Sequence, residues 1–205
     1  MENDPQLPED NDAETQSAAA GSERDPREGP RVYVASLSDF NSGLLHGAWL
    51  SAGVEEDELQ KAIGSMLASS PSPGAEEFAI FDYEGFGPLR IDEYTPLSSL
   101  SAIACGIAEH GVAYAHWVAS GGSSERTDLL GFEDAYLGHW ESLTSYAENF
   151  LDDLGALQQI EKVAHGYLQP YVRLDIEGFA RDLELAGDIW TSPGDGGVYV
   201  FDGRS

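Results

Sequence analysis

The chain has 205 residues, of which 41% are hydrophobic, and its 37 acidic residues against 10 basic ones give a formal net charge of −27. With 4 Trp, 9 Tyr and 8 Phe, the composition excludes a wholly disordered acidic segment, because such segments lack the apolar side chains needed to build a core. The charge also excludes ordinary nucleic-acid binding, which requires a basic surface to neutralise phosphates.

Residues 1–30 differ in composition from the rest of the chain. They contain nine acidic residues, two arginines and four prolines, with almost no large apolar side chain, which predicts a disordered acidic tail. Residues 31–205 still contain 28 acidic and 8 basic residues, a net charge of −20. The tail therefore does not account for the acidity, and the folded part must carry most of it.

The first folded segment, residues 31–95, is predicted to be a small α+β domain. Residues 31–37 alternate as in a strand, residues 39–43 have turn chemistry, and residues 44–50 can return as a second strand. Leu59, Ile63, Met66 and Leu67 share one face of a helix predicted over 55–68. Residues 77–83 then predict a further strand, so that one helix crosses a small antiparallel sheet.

Residues 96–124 are predicted to form a helical middle domain. From 96 to 118 the side chains are mostly small or apolar without alternation, which indicates one or two buried helices, and the Ser- and Gly-rich loop 120–124 marks a domain boundary. Cys105, the only cysteine, lies in this apolar run, so we expect no internal disulfide and a buried packing role. No signal peptide or membrane span is apparent, so the expected location is cytoplasmic.

Residues 125–205 are predicted to form a C-terminal α+β domain. The apolar residues between 143 and 154 recur at helical spacing, with Gly155 just beyond them. A second helix is predicted over 175–186, and residues 188–190 and 198–201 predict a closing hairpin. The whole chain is thus expected to be an α+β protein of three small domains.

Acidic residues are placed on the exposed faces of these helices. In the helix over 175–186, Asp175 and Asp182 lie within about 20° of each other, as do Glu177 and Glu184, so two acidic rows flank the apolar stripe. Glu148 and Asp152 form an i, i+4 pair of like charge. DNA carries one charge per ~1.7 Å, so a net charge of −20 matches roughly 34 Å of duplex.

No constellation for catalysis stands out. The five histidines lack metal-binding spacing, and the chain has neither a nucleophile elbow nor a phosphate-binding glycine loop. The motif D-x-E-G-F occurs at 82–86 and at 175–179, and we interpret both copies as turn or cap elements that present acid. We therefore expect no cofactor, no metal and no enzymatic activity.

A charge density that matches duplex DNA favours the interpretation that this protein imitates DNA. Two other interpretations also fit the composition. Salt-adapted proteins also carry excess acid and few lysines, so the chain can be an acidic enzyme or ligand-binding domain whose carboxylates only bind water. A partner that sequesters basic nucleoid proteins would share the charge without needing the geometry of a duplex. An ordered, curved track of carboxylates would favour DNA mimicry over both.

Several segments resemble the ArdA family of antirestriction proteins. The resemblance lies at RVYVASLSDFN (31–41), GAW (47–49), EFAIFDYE (77–84), IDEYT (91–95) and the stretch 171–187, which contains FARDLEL (179–185). It implies an elongated homodimer that imitates bent B-form DNA and does not bind nucleic acid itself. The partner implied is the methyltransferase core of type I restriction and modification enzymes with its specificity subunit, and such proteins usually travel on plasmids and conjugative elements.

The resemblance also assigns roles to residues. The stretch 155–172 corresponds to the family segment linked to activity and dimer contact; because Glu161 is its only carboxylate, we expect an interface there, with Tyr167, Leu168 and Tyr171 as possible dimer contacts. The acidic tail and the insertion 70–74 look unlike compact members. The carboxylates expected to replace phosphates are Glu55, Glu56, Asp57, Glu58, Glu76, Glu77, Asp82, Glu84, Asp92, Glu93, Glu109, Asp128, Glu133, Asp134, Glu141, Glu148, Asp152, Asp153, Asp175, Glu177, Asp182, Glu184 and Asp188.

Overall fold

The computed structural model describes residues 29–121, 129–163 and 166–204. Within them the fold is α+β, as expected, with two antiparallel three-stranded sheets and eight α-helices. The strands are β1 (Arg31–Ser36), β2 (Gly47–Ser51), β3 (Phe78–Glu84), β4 (Tyr136–Trp140), β5 (Ile189–Gly194) and β6 (Gly197–Asp202). The helices are α1 (Leu37–Asn41), α2 (Glu56–Ala68), α3 (Leu97–His110), α4 (Val112–Ala119), α5 (Leu129–Ala135), α6 (Leu143–Asp153), α7 (Ala156–Val163) and α8 (Ile176–Leu185), and a 3-10 helix spans Gly166–Tyr171.

The first sheet has the strand order β2-β1-β3. The predicted helix over 55–68 is confirmed as α2, with Leu59, Ile63 and Met66 buried, and Glu55 stands just before it as the N-cap. Three acids in the first turn of α2 favour its start, because carboxylates are stabilised by the positive end of a helix dipole. The strand predicted over 77–83 is confirmed as β3.

The turn predicted at 39–43 is wrong in part, because residues 37–41 form helix α1. Ser36 caps this helix by accepting a hydrogen bond from the backbone N–H of Asp39 at 3.3 Å. A turn follows, in which Gly43 adopts a φ of 78°. The capping pattern Ser-x-x-Asp was present in the sequence, but five residues are too few to show helical periodicity.

The buried helices predicted between 96 and 118 are confirmed as α3 and α4. They approach closely, since a Cβ at Gly106 would clash with the ring of Tyr114. The prediction that Cys105 is buried is wrong: the residue is only half-buried, and its thiol lies 3.6 Å from the backbone oxygen of Val54. Neighbouring Ala104 and Gly106 take the buried positions instead.

The second sheet has the order β4-β6-β5. The predicted closing hairpin is confirmed as β5 and β6, joined by a two-residue turn in which Gly196 has a φ of 74°. The predicted helices at 143–154 and 175–186 are confirmed as α6 and α8. They pack through Phe150 and Phe179, whose stacked rings lie 6.2 Å apart.

One hydrophobic cluster includes residues from each of the three predicted segments, among them Val32, Tyr114 and Phe201. Phe132 is near its centre, with ring centroids 5.4 Å from Tyr114 and 5.2 Å from the ring of Tyr136. Helices α3 and α4 therefore share apolar packing with both sheets. The division into three domains stays a prediction, and residues 122–124 of the boundary loop lie outside the described residues.

Candidate functional site: an acidic surface

The carboxylates proposed from the sequence lie almost entirely at the surface. Asp128 lies outside the described residues, and Asp188 is half-buried; every other carboxylate in that set belongs to an exposed residue. Exposure is what a phosphate-replacing group requires, because it must reach a partner. It does not by itself distinguish such groups from solvated acids, so their role stays a prediction.

Few of these carboxylates are neutralised by the protein itself. In the described part of the chain, Arg31 pairs with Glu84 at 2.5 Å, and Arg204 pairs with Asp188. The hydrogen bond that Arg204 donates to Asp188 raises the pKa of the Arg204 guanidinium. Two such pairs leave most of the acidic surface without a compensating cation, so its field extends into solvent.

Other acids are used locally by the backbone or by a hydroxyl group. Asp175 is the N-cap of α8 and accepts from the N–H of Gly178 at 2.9 Å, which confirms the predicted cap role of the second D-x-E-G-F motif. Glu184 accepts from the hydroxyl of Thr191 at 2.6 Å. These bonds fix the direction of the two side chains while leaving both residues exposed.

Six exposed acids lie on helices α6 and α8, which pack against each other. We call these residues the α6/α8 acidic face: Glu148, Asp152 and Asp153 on α6, and Glu177, Asp182 and Glu184 on α8. Ser142 and Ser145 form a capping box that starts α6, with backbone-to-hydroxyl distances of 3.0 and 3.1 Å. Each helix is thus capped at its N-terminus and packed on its apolar side. This stability offsets the repulsion between the like charges on the exposed side of the helix.

A second acidic grouping lies at the edge of the first sheet. Asp82, Asp92 and Glu93 line an open cleft between β3 and the segment that follows it. All three carboxylates were expected at the surface, but the sequence does not indicate that they lie close together. Their proximity arises from the pairing of residue 93 with β3, through the backbone bond from Ile80 N–H to the oxygen of Glu93 at 3.0 Å.

One carboxylate behaves differently from all those predicted. Asp39 is fully buried and accepts hydrogen bonds from the hydroxyls of Ser70 and Ser72, each at 2.5 Å. These bonds hold the pKa of Asp39 at about 2, below its ordinary value of 3.8. Ser36, Asp39, Ser70 and Ser72 form what we call the Asp39 pocket. Both serine donors belong to the segment 70–74, so this segment has a structural role here.

His46 lies beside the Asp39 pocket, in an arrangement that resembles a nucleophile and base only superficially. Its Nε2 is 2.8 Å from the backbone oxygen of Met66 and 3.3 Å from the hydroxyl of Ser69. A carbonyl oxygen can only accept, so Nε2 must carry the proton and cannot remove one from Ser69. The contact therefore ties the residue just before β2 to the end of α2 and does not activate a nucleophile.

His116 joins α4 to the second sheet. Its Nδ1 lies 2.7 Å from the hydroxyl of Ser192, and its ring centroid is 4.7 Å from that of Tyr199. Burial lowers the pKa of His116, against a smaller opposing effect of Asp195. No group of three or more His, Cys, Asp or Glu residues within the described ranges is arranged to hold a metal ion.

The fold and the surface define an acidic α+β protein with two antiparallel sheets and many exposed carboxylates. The sequence matches the family model described as Antirestriction protein (ArdA) over residues 32–196. The chain belongs to the ArdA family of antirestriction proteins, which is not a family of known enzymes. The comparison with curated proteins gave no significant match. In the parts of the chain that the structure describes, no helix is long and apolar enough to cross a membrane.

Proposed function

We propose that this protein mimics duplex DNA and occupies the DNA-binding groove of a type I restriction and modification enzyme. The groove is formed by the methyltransferase core with its specificity subunit. The observation that carries the proposal is the set of exposed carboxylates, of which few have a basic partner in the described part of the chain. Because no bond is made or broken, restriction and modification are both blocked by occupancy alone.

In this proposal, the basic side chains of the enzyme bind carboxylates of this protein in place of DNA phosphates. Arginine and lysine side chains that bind phosphates would bind carboxylates, and each charge-assisted hydrogen bond favours the anion. The protein binds the enzyme and not nucleic acid, since its own charge repels phosphates. Carboxylates on a folded surface condense fewer counterions than DNA does, so fewer ions are released on binding. We therefore expect a shallower dependence of affinity on salt than for DNA.

The exposed apolar side chains near the C-terminal half support a homodimer. Val163, Tyr167, Tyr171 and Leu185 are each at least 78% exposed, so they are accessible to a second copy of the chain. Tyr167 and Tyr171 were expected to contact a second copy, and burying them would remove this apolar area from water. Leu168, the third expected contact, has a side chain outside the described set.

We also propose where in the cell the protein acts. A protein that occupies a type I enzyme must meet it where incoming DNA is attacked, so we place it in the cytoplasm of a cell that receives a mobile genetic element. Plasmids and conjugative elements benefit from such a protein, because blocking restriction protects the DNA that they transfer.

A competition assay tests the proposal. Purified protein is titrated against labelled duplex bound to a type I methyltransferase complex, at several salt concentrations. Displacement at about one dimer per DNA site, with a shallower salt slope than for competing unlabelled duplex, is the expected result. Absence of displacement by a large excess of folded dimer would overturn the mimicry and favour the salt-adapted interpretation, which in turn predicts unfolding at low salt.

The dimer is tested separately by sedimentation. The double variant Tyr167→Ala/Tyr171→Ala removes two exposed rings, so we expect a lower sedimentation coefficient at a given concentration with an unchanged circular dichroism spectrum. Leu44→Ala/Leu45→Ala is a matched double control, since these two residues are 51% and 70% exposed and lie in the N-terminal segment. An unaltered association constant for the double variant would exclude these tyrosines from the interface.

A further inference from the structure

The cleft beside β3 has walls that the main chain fixes in place. It is open, with a volume of about 770 Å³, and lies between β3 and residues 91–96. The bond from Ile80 to Glu93 holds one wall against the strand. The other end is closed by a turn in which Thr95 N–H donates to the oxygen of Asp92 at 3.1 Å, and Asp92 N–H donates to the Thr95 hydroxyl at 3.0 Å. The cleft therefore exists before any partner binds.

The lining combines aromatic rings with carboxylates. The aromatic residues along the cleft are Phe81, Tyr83 and Tyr94, and the acidic ones are Asp82, Asp92 and Glu93. Tyr94 is 69% exposed, so its ring is accessible to a ligand. The strand bulges here, since the register with β1 passes from Asp82 to Ile80 and leaves Phe81 without a partner residue. The ring of Phe81 packs edge-on against Phe40 at 4.8 Å, which fixes this part of the wall.

The carboxylates of the cleft are available for a ligand. Asp82 uses one oxygen to accept from the N–H of Tyr83 at 2.8 Å, which orients the group and leaves its second oxygen. Across the residues that the structure describes, the side chains of Asp92 and Glu93 have neither a hydrogen bond nor an ion pair. Rings beside unneutralised carboxylates favour a cationic group with an apolar stem.

We propose that this cleft takes an arginine side chain of the partner enzyme. The inference rests on the proposed function, because the DNA groove of such an enzyme is the source of the basic residue. A guanidinium group is planar, so it can stack on a ring while donating two parallel hydrogen bonds to a carboxylate. A lysine ammonium lacks the flat face and the paired donors. The cleft would thus recognise one side chain by shape, in addition to the general attraction of the acidic surface.

The test uses small probes that do not depend on the enzyme. Isotopically labelled full-length protein is titrated with argininamide and followed by NMR, with lysinamide and citrullinamide, whose side chain is uncharged, as comparison probes. Argininamide should shift the amide signals of Tyr94 and Thr95 with a Kd on the order of 10 mM, and lysinamide should bind at least about threefold more weakly. Equal shifts from argininamide and lysinamide, or shifts spread over the whole acidic surface, would overturn the proposal.

Two variants of the cleft separate its contribution from the net charge. Asp92→Asn/Glu93→Gln should weaken argininamide binding at least about fivefold, whereas Glu148→Gln/Asp152→Asn removes the same charge from α6 and should leave cleft binding within about twofold. Tyr94→Ala tests the ring; Tyr94 is 69% exposed, so this variant should keep the fold even if the double variant does not. Equal loss in the α6 control, or full binding in Tyr94→Ala, would contradict an arginine cleft.

The outcome for the cleft is distinguishable from the outcome for mimicry. If the wild-type protein displaces DNA from the enzyme but argininamide does not bind at the cleft, mimicry stands and the arginine cleft is wrong. If argininamide binds at the cleft but no DNA is displaced, the enzyme is not the source of the arginine, and the proposal as stated is overturned together with mimicry. When both hold, the Asp92/Glu93 variant should lose more inhibition than the α6 control.

Discussion

The Asp39 pocket and the α6/α8 acidic face contain the same functional group in opposite circumstances. In the pocket, one buried carboxylate accepts from two serine hydroxyls at 2.5 Å. On the face, six exposed carboxylates lie on two helices and are oriented toward solvent with few local donors. A carboxylate in the pocket stabilises the fold through short hydrogen bonds, while those on the face cost some stability through repulsion. In one protein, therefore, acid serves folding at one site and recognition at another.

The largest expected effect comes from neutralising the whole α6/α8 acidic face. Replacing its three glutamates with Gln and its three aspartates with Asn removes six negative charges without changing side-chain size. If each contributes as a partly exposed ion pair to the enzyme, inhibition of DNA binding should weaken by about 100-fold. The competition assay measures this loss. The melting temperature should stay the same or rise, since like-charge repulsion is relieved.

If the six-residue variant keeps the wild-type affinity for the enzyme, the α6/α8 acidic face is only a solvated surface. The contrast with the Asp39 pocket would then not be one between folding and recognition. A comparison variant neutralises three other proposed phosphate-replacing carboxylates, Glu56, Asp57 and Glu58, where the helix dipole already stabilises the charges. This variant should lower the stability of α2 slightly. Loss of inhibition in the comparison variant alone would move the recognition surface to the N-terminal region.

Removing the charge of Asp39 should have the opposite effect: the melting temperature should fall and inhibition should not change. In Asp39→Asn the amide cannot accept both serine hydroxyls as well as a carboxylate does, so we expect the melting temperature to fall by about 5 °C or more. Inhibition per folded molecule should be unchanged, because the residue is buried. Thermal unfolding followed by circular dichroism measures the first quantity, and the competition assay at a low temperature measures the second.

The serine donors provide a control for this variant. Ser70→Ala/Ser72→Ala leaves the carboxylate but removes its two short hydrogen bonds, so it should destabilise the fold to a similar extent. If the triple variant is no less stable than either parent, the residues act as one unit, as non-additive neighbours do. A melting temperature within about 1 °C of wild type for all three variants would show that the pocket contributes nothing to stability.

The stability that Asp39 contributes should depend on pH. Because the pKa of Asp39 is lowered to about 2 from 3.8, its contribution is fully present above pH 3.8 and is lost as the pH falls through about 2. The difference in melting temperature between wild type and Asp39→Asn should therefore be constant from pH 7 to about 4 and shrink toward zero near pH 2. A difference that stays constant down to pH 2 would mean that the residue stabilises by packing alone.

The elements that were predictable from the sequence are those with a local repeat. Helices α2 and α6 each place an apolar residue every three or four positions, and the Asp195-Gly196 turn marks the final hairpin. Strand β4 was missed. It contains Gly138 with a φ of 114° and an irregular register opposite β6, so its side chains do not alternate regularly. A strand of this kind is defined by its neighbour and not by its own pattern.

The two acidic sites that the sequence did not predict both depend on non-local contacts. Asp39 is more than thirty positions from Ser72 in the chain, and only the fold brings the hydroxyl to the carboxylate. The cleft arises because Glu93 pairs with Ile80, which places Asp82 and Asp92 on facing walls. Exposure of the remaining acids was expected, since unpaired charges are rarely buried. Composition thus predicts where most acids lie but not which ones cooperate.

The smallest expected effect is that of a single exposed acid, and it tests whether the face works by summation. Asp182→Asn should change the inhibition constant by less than about twofold, because one exposed pair contributes little to binding. The five other carboxylates of the α6/α8 acidic face remain in this variant, so most of the negative potential of the surface is retained. Complete loss of inhibition by this folded variant would indicate a single indispensable group, as in catalysis, and would remove the basis for treating the face as a mimic of a uniformly charged backbone. A small effect, together with the large effect of the six-residue variant, is the pattern that a surface of interchangeable charges must show.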